Sequence, residues 1–275
     1  MSSVYSARRA LPEAAVVPAP APASISGASA LDLEPELGSG IPPEDWVVAR
    51  RATPAQLTRI PRGKWISPLR PDGDQILGLI VNEGIVSREV ALGRHVAFEL
   101  LGPGDALLPA DAEPLDSALG GREAINALSA ARVIVLGTAF ARACARWPVL
   151  LTNLHRRVEA VRRRQATHGL AAHLPRAEDR LLLTLWLLAD TCGRVTSDGI
   201  VIPLSLPHQA LARLTAAQRP TITLALQNLS AAGFIQRHSR SGLTLTPAAS
   251  QRVRELTTTN NDAPSLAIHI ADHAP

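Results

Sequence analysis

The sequence predicts an α+β chain in which a small antiparallel β-domain is followed by a long helix and a winged helix-turn-helix. Short apolar runs with glycine-rich turns fill the first half, and a helical segment with heptad-like spacing follows. Two short helical segments and a basic hairpin lie near the C-terminus. At 275 residues the chain can bury more than one core. The predicted parts are an arm (1–45), a β-domain (46–139), a long helix (140–174), a winged helix domain (175–256) and a flexible tail (257–275).

The first 45 residues are poor material for a core, and we predict a disordered Ala/Pro-rich arm. Glu13 and the prolines also break any apolar core of a secretion signal after Arg8 and Arg9, so a cytoplasmic protein is expected. The chain has no run of about 18 apolar residues, so no membrane span is expected. The prolines of the arm are Pro12, Pro18, Pro20, Pro22, Pro35, Pro42 and Pro43.

Strand-like runs separated by turn signals continue from Trp46 to Gly137. Their spacing is typical of a small antiparallel barrel or roll. The turn Gly102-Pro103-Gly104-Asp105 ends the third run. The four clearest runs are 76–81, 85–90, 96–101 and 132–136.

A long helix is predicted from Pro148 to His173, because proline suits a first helical turn and apolar residues then recur every three or four positions. This spacing predicts a coiled-coil seam between two copies of the chain. The alternative is an amphipathic helix that packs on its own β-domain. Arginines that fall off the seam predict a solvated face: Arg156, Arg157, Arg162, Arg163 and Arg164. The seam consists of Leu151, Leu154, Val158 and Val161, followed by the polar Gln165 and His168.

Residues 206–246 predict a helix-turn-helix with a wing. Leu211 and Leu214 are three residues apart in the first segment, and a small, polar break at 215–218 separates it from the second. Gly233 ends the second helix, as glycine does at a C′ position. The second helix carries Ile222, Leu226 and Leu229 at intervals of four and three.

The start of this second helix predicts contacts to DNA bases. Such a helix places its N-terminal end in the major groove, where Arg219 can donate two hydrogen bonds to guanine. The alternative is a helical hairpin with a solvated Arg219. Residues 140–256 carry 16 arginines and 6 acidic residues, a net charge of +10. Residues 1–139 carry 12 basic and 16 acidic residues, a net charge of −4. This uneven distribution of charge favours a DNA-binding C-terminal half. The predicted DNA contacts are Gln209, Gln218, Arg219, Thr221 and Thr223, with Arg237, His238 and Arg240 in the wing.

The C-terminal motif resembles the winged helix-turn-helix of the Crp–Fnr superfamily of bacterial transcription regulators. It departs from that pattern at Pro220, where glutamate is common, and at Leu224, where a second basic residue reads DNA, so a different operator is expected. The resemblance implies a cyclic-nucleotide-binding-like β-roll that senses an effector, a dimerisation helix, a homodimer on a palindromic operator, and RNA polymerase as a further candidate partner. The matching residues are Gln209, Leu211, Ala212, Leu214, Arg219, Thr221, Ile222, Leu226, Leu229, Gly233, Phe234 and Ile235.

The effector stays unknown. The family's nucleotide cassette has no match after Asp105, and Glu123 follows Arg122, so a cyclic nucleotide is not expected. An acidic stretch in the same segment, with Asp111, Glu113 and Asp116, would also repel an anion. The chain has two cysteines, Cys144 and Cys192, which exclude a four-thiolate iron–sulfur cluster. Scattered histidines leave haem open, and no spacing predicts zinc or another cofactor.

Two other classes of protein are alternatives to a regulator. An enzyme requires converging nucleophile, base and acid groups, and the sequence shows no such constellation, so no catalytic activity is expected. The other alternative is a metabolite- or redox-responsive adaptor whose winged helix no longer reads an operator, which Leu224 favours.

Overall fold

The computed structural model describes residues 24–65, 76–92, 95–108, 122–203, 206–238 and 242–258. The strands are β1 (Ser24–Ser29), β2 (Pro54–Ile60), β3 (Gly63–Trp65), β4 (Gly78–Glu83), β5 (Val86–Leu92), β6 (His95–Leu101), β7 (Ala106–Leu107), β8 (Arg122–Ala127), β9 (Ala131–Leu136), β10 (Arg194–Thr196), β11 (Gly199–Ile202), β12 (Ile235–His238) and β13 (Gly242–Leu245). The helices are α1 (Ala30–Leu33), α2 (Trp46–Ala52), α3 (Thr138–Arg146), α4 (Pro148–Ala171), α5 (Ala177–Cys192), α6 (His208–Leu214), α7 (Arg219–Ala231) and α8 (Pro247–Thr257), with a 3-10 turn at Pro35–Gly38. The predicted α+β architecture is confirmed.

Two antiparallel sheets form the N-terminal domain, with strand orders β1-β2-β9-β4-β7 and β3-β8-β5-β6. Alternate residues of β9 point to opposite faces of its sheet. Val133 and Val135 join an inner core with Val86 and Ile125 of the second sheet. Ile134 belongs to an outer core on the other face. Because both faces of β9 are buried from Val133 onward, residues 133–136 form a continuous apolar run in the sequence.

The outer core is covered in part by residues that the sequence assigned to a disordered arm. From residue 24 onward this assignment is wrong: β1 pairs with β2, and Leu31 and Leu37 are fully buried. Asn153 on α4 donates hydrogen bonds of 2.9 Å to the carbonyls of Leu37 and Ser39. The prolines of this region favour disorder, but two leucines in the same region pack into an apolar core. This tertiary contact is what orders the segment. Residues 1–23 of the predicted arm and 259–275 of the predicted tail lie outside the described residues.

Helix α4 packs along its own N-terminal domain. Leu154 and Val158 are buried in the outer core, and Val161 is buried in the inner core. These three predicted seam residues are therefore covered by other residues of the same chain. This burial is what the alternative prediction expects, in which α4 is an amphipathic helix that packs on its own β-domain. Leu151 differs, because half of its surface is exposed (50%).

Two of the arginines predicted to be solvated are instead largely buried in ion pairs. Arg157 donates to Glu34 and to the carbonyl of Gly104, each at 2.9 Å. Arg164 pairs with the buried Asp105 at 2.5 Å. Asp105 also accepts a hydrogen bond from the backbone N–H of Gly102 at 2.8 Å. The turn at 102–105 is thus fixed to α4 by two guanidinium groups.

The C-terminal domain is built around a third core. The four-stranded sheet β10-β11-β13-β12 packs with α5, α6, α7 and α8. Leu185 of α5 meets Ile222 and Leu226 of α7 in this core. Ile85 and Leu100 of the N-terminal domain belong to the same cluster, so the two domains share a continuous apolar contact.

Candidate nucleic-acid interface

Helices α6 and α7 form the predicted helix-turn-helix. Leu211 and Leu214 of α6 are buried against the same core as Ile222 and Leu226 of α7. Between the helices, Ala216 has a φ of 49°, the left-handed conformation that lets the chain reverse in a short turn. The packing orients α7 so that its opposite face is free.

The N-terminal turn of α7 is exposed. Gln218 is the N-cap residue, and Arg219 and Pro220 open the helix, where the missing proline N–H has no intrahelical partner to lose. The side chains of Gln218, Arg219 and Thr221 are exposed. Unpaired backbone N–H groups and the positive end of the helix dipole lie at the same place. This end of α7 therefore presents hydrogen-bond donors and positive charge to a ligand.

Thr223 is less available than the sequence predicts. Its hydroxyl donates to the carbonyl of Arg219 at 3.1 Å and lies 2.9 Å from Nδ1 of His208. The side chain is half-buried. The hydroxyl already has two partners among the described residues, which restricts what Thr223 can contribute to a contact.

The wing is the β12–β13 hairpin, in which Gln236 pairs with Thr244. Arg237 is exposed on β12. His238 ends this strand, but its side chain is not among those described, and Arg240 lies outside the described residues. Gln209, near the start of α6, is exposed. Of the predicted wing contacts, Arg237 is therefore the one whose cationic side chain the structure describes as exposed.

Sequence reasoning missed two side chains at this surface. His208 opens α6 and contacts Thr223 of α7, but in the sequence it resembles any other scattered histidine. The exposed Gln227 lies one helical turn beyond Leu224, which is itself 56% exposed. A helical projection of α7 from its buried positions would have found Gln227.

A cavity of about 460 Å³ lies where the N-terminal domain, α4 and α6 meet. Its apolar wall includes Phe98, Val161 and Leu214. Burial, together with the charge of Arg164, lowers the pKa of His168 in this cavity to about 4, so its imidazole is neutral at pH 7. The buried Nδ1 of His168 has no hydrogen-bond partner in the described structure.

Each guanidinium group at the cavity has a carboxylate close by. The described residues therefore give the cavity a nearly balanced charge. Arg164 pairs with Asp105 at 2.5 Å, and Arg88 lies 3.7 Å from Glu99. Arg213 of α6 pairs with Glu89 of β5 at 3.1 Å, which connects the helix-turn-helix directly to the N-terminal domain. The predicted phosphate-repelling stretch at Asp111, Glu113 and Asp116 lies outside the described residues, as do the side chains of Arg122 and Glu123.

The described ranges hold no candidate for a metal centre or a membrane span. No cluster of three or more His, Cys, Asp or Glu side chains there could hold a metal ion. None of the described helices has the length and apolar character needed to cross a bilayer.

Comparison with known proteins identifies the C-terminal domain. Residues 179–248 match the Crp-like helix-turn-helix domain, a range that begins within α5 and ends in α8. No curated protein matches the chain.

Solved structures match about three quarters of the chain. A cyclic nucleotide-binding domain containing protein from Listeria monocytogenes EGD-e is 18% identical with a TM-score of 0.58, over 79% of this chain and 98% of that one. TTHB099, a CRP-family transcriptional regulator from Thermus thermophilus, is 23% identical with a TM-score of 0.52, over 71% of this chain and 95% of that one. FixK2 from Bradyrhizobium japonicum is 16% identical with a TM-score of 0.54, over 75% of this chain and 98% of that one. The chain therefore combines a Crp-like helix-turn-helix domain with the overall fold of CRP/FNR-family regulators, which confirms the resemblance seen in its sequence.

Proposed function

We propose that the protein is a homodimeric, cytoplasmic transcription regulator that reads a palindromic operator and senses a small-molecule effector through its N-terminal domain. One observation carries the proposal: the N-terminal turn of α7 is exposed in a Crp-like helix-turn-helix domain, with Arg219 at its first position. Regulators of this domain class insert this end of the second helix into the major groove.

The side chains on this turn suit direct reading of bases. Arg219 can donate two hydrogen bonds to O6 and N7 of a guanine, and Gln218 can pair with an adenine. Thr221 can contact a phosphate or a thymine methyl group. Leu224 has no hydrogen-bonding group, but its exposed side chain can contact a thymine methyl group. The operator would then combine a guanine read by Arg219 with an A·T pair next to Leu224.

The homodimer would use the exposed side of α4, since the other side is buried on the chain's own domain. Leu151 and Leu170, 50% and 72% exposed, lie near the two ends of that side, with His155, Arg162 and Ala166 between them. Intervals of four, seven, four and four place these five residues on one helical face. Two winged helices held in this way would engage half-sites about 34 Å apart, which requires a palindromic operator.

The effector would bind in the cavity at the junction of the two domains. Its volume of about 460 Å³ is in the range of small-molecule sites. Apolar walls and paired charges favour a compound of low net charge over a phosphate ester. Because Leu214 and Ala216 of the helix-turn-helix line the same cavity, a ligand there would contact the DNA-binding domain directly and shift the population of its positions. An activating regulator would also contact RNA polymerase.

Selection of bound duplexes from a random pool tests this function. We expect an enriched palindrome whose half-sites lie about one helical turn apart. The adaptor alternative, in which the exposed Leu224 has abolished operator reading, predicts equal recovery of all sequences.

Light scattering tests the dimer. Leu151→Glu together with Leu170→Glu should give monomers, because two new charges would enter the contact. Val47→Glu is a matched control, since Val47 is 57% exposed on α2 and is not part of the proposed contact. A double variant that stays as dimeric as the control would show that α4 is not the contact.

A further inference from the structure

His208 is the first residue of α6, and its imidazole contacts the helix proposed to read DNA. Nδ1 lies 2.9 Å from the hydroxyl of Thr223, and that hydroxyl donates its hydrogen to the carbonyl of Arg219. With its single hydrogen donated to that carbonyl, the hydroxyl accepts from Nδ1 of His208 in the tautomer that we assign. Nδ1 therefore carries a hydrogen in the neutral ring, and Nε2 is the nitrogen that gains or loses the titrating proton.

The charges that act on this ring come from two elements of the DNA-facing surface. Arg237 of β12 and Arg219 of α7 are both cations, and both are exposed. Burial, followed by these two arginines, lowers the pKa of His208 below its usual value of 6.5. On its own helix, Arg213 lies more than a turn away and is paired with Glu89. The ring is therefore mostly neutral near pH 7 in the free protein.

We propose that His208 is a proton-linked ligand of a DNA phosphate. On DNA binding its ring takes up a proton from solvent at Nε2 and donates that hydrogen to a phosphate oxygen, while Nδ1 continues to hold Thr223. The proposal rests on the proposed function, because it requires that α6, α7 and the wing face a duplex. A phosphate between His208 and the two arginines would replace their mutual repulsion by attraction, which favours the charged ring.

The sign of the pH dependence follows from these two states. The pKa of His208 is below 6.5 in the free protein and higher in the complex, so binding takes up a proton between the two values. In that window affinity falls as pH rises, by up to about tenfold per pH unit for each winged helix and about a hundredfold for two in a dimer. Below the free value and above the bound value, affinity no longer depends on this group.

Fluorescence anisotropy on the duplex enriched from the random pool measures the dependence, from about pH 5.5 to about pH 8 at constant ionic strength. Three variants separate the roles of the ring. His208→Gln keeps a hydrogen-bonding side chain and should give a flat profile that meets the wild type at high pH. His208→Lys carries a permanent charge and should bind tightly at both ends of the range. His173→Gln, at an exposed histidine beyond the end of α4, should keep the wild-type slope.

The salt dependence provides a second readout. A phosphate contact by a charged ring adds about 0.9 to the slope of log affinity against log salt for each winged helix. His208→Gln should therefore reduce that slope near pH 6 and leave it unchanged near pH 8.

Three results would overturn the proposal. A flat wild-type profile would show that His208 does not titrate on binding. A uniform loss of affinity in His208→Gln with an unchanged pH slope would show that the ring only holds Thr223, and that another group, such as His238, titrates. Absence of binding at every pH would instead overturn the proposed function itself, and this inference with it.

Discussion

Replacing Leu37 with alanine tests whether residues 24–45 belong to the N-terminal domain. Leu37 is 0% exposed, so Leu37→Ala removes three carbons from a fully buried position. At about 0.8 kcal/mol for each buried CH₂, the lost transfer free energy is about 2.4 kcal/mol. A cavity that does not collapse adds about 1–2 kcal/mol, so we expect a loss of about 4 kcal/mol in the free energy of unfolding. Collapse is restricted because Asn153 holds the Leu37 carbonyl from α4.

The assay is thermal unfolding followed by tryptophan fluorescence, since Trp147 lies in the same core as Leu37. At about 2–4 °C for each kcal/mol, Leu37→Ala should lower the transition by about 8–16 °C. Leu108→Ala is the matched control: its side chain is 41% exposed, so we expect a loss of about 1.4 kcal/mol. Equal shifts for the two variants would refute the burial of Leu37 and return residues 24–45 to a disordered arm.

Three further predictions follow from the described sites. Arg219→Ala should weaken specific DNA binding by about 1–3 kcal/mol and relax selectivity at one base pair per half-site, and a titration with unchanged affinity and base preference would contradict the groove assignment. Neither cyclic AMP nor cyclic GMP should raise the melting temperature, because Arg164 and Arg213 are already paired with carboxylates. A nucleotide that bound the folded protein, at a concentration of about 100 times its Kd, would add about 2.7 kcal/mol to the free energy of unfolding, and a thermal melt would detect this. The pKa of His168 is about 4 when folded and near 6.5 when unfolded, so stability is constant above pH 6.5 and falls as pH drops towards 4; His168→Gln should lessen that slope in urea titrations at several pH values.

The helix-turn-helix could be predicted because its signals are local. The apolar spacing of Leu211, Leu214, Ile222 and Leu226 gives two helices and their buried faces, and Gly233 marks the end of the second. Gly233 has a φ of 73°, which favours glycine. These features need no knowledge of the rest of the chain.

The N-terminal region could not be predicted in the same way, because its order depends on distant partners. Leu31 and Leu37 are buried in a core whose apolar face is formed by residues of β2, β9 and α4 together. The amino-acid composition of this region shows its prolines, but it does not show the apolar face on which the region packs. Sequence-based disorder is therefore overestimated where a few apolar residues cover an existing sheet.

The periodicity of α4 identified its apolar face but not the partner of that face. Leu154 and Val158 recur at seam spacing whether the helix packs on a second copy or on its own domain. Likewise, the sequence does not show that Arg157 and Arg164 meet Glu34 and Asp105, since these acids are far away along the chain. Pairings of this kind are set by topology and appear only in the folded molecule.

Site-specific crosslinking tests most directly whether the N-terminal turn of α7 enters the major groove. A single reactive cysteine at Thr221 can carry a photoactivated group, because burial raises the pKa of the Cys144 thiol and raises that of Cys192 to about 11, which slows their labelling. Gln251, exposed on α8, is the matched control position. We predict crosslinks from position 221 to bases within each half-site of the selected duplex and none from position 251. Crosslinks from position 251, or none from position 221 on a duplex that is bound, would contradict the account.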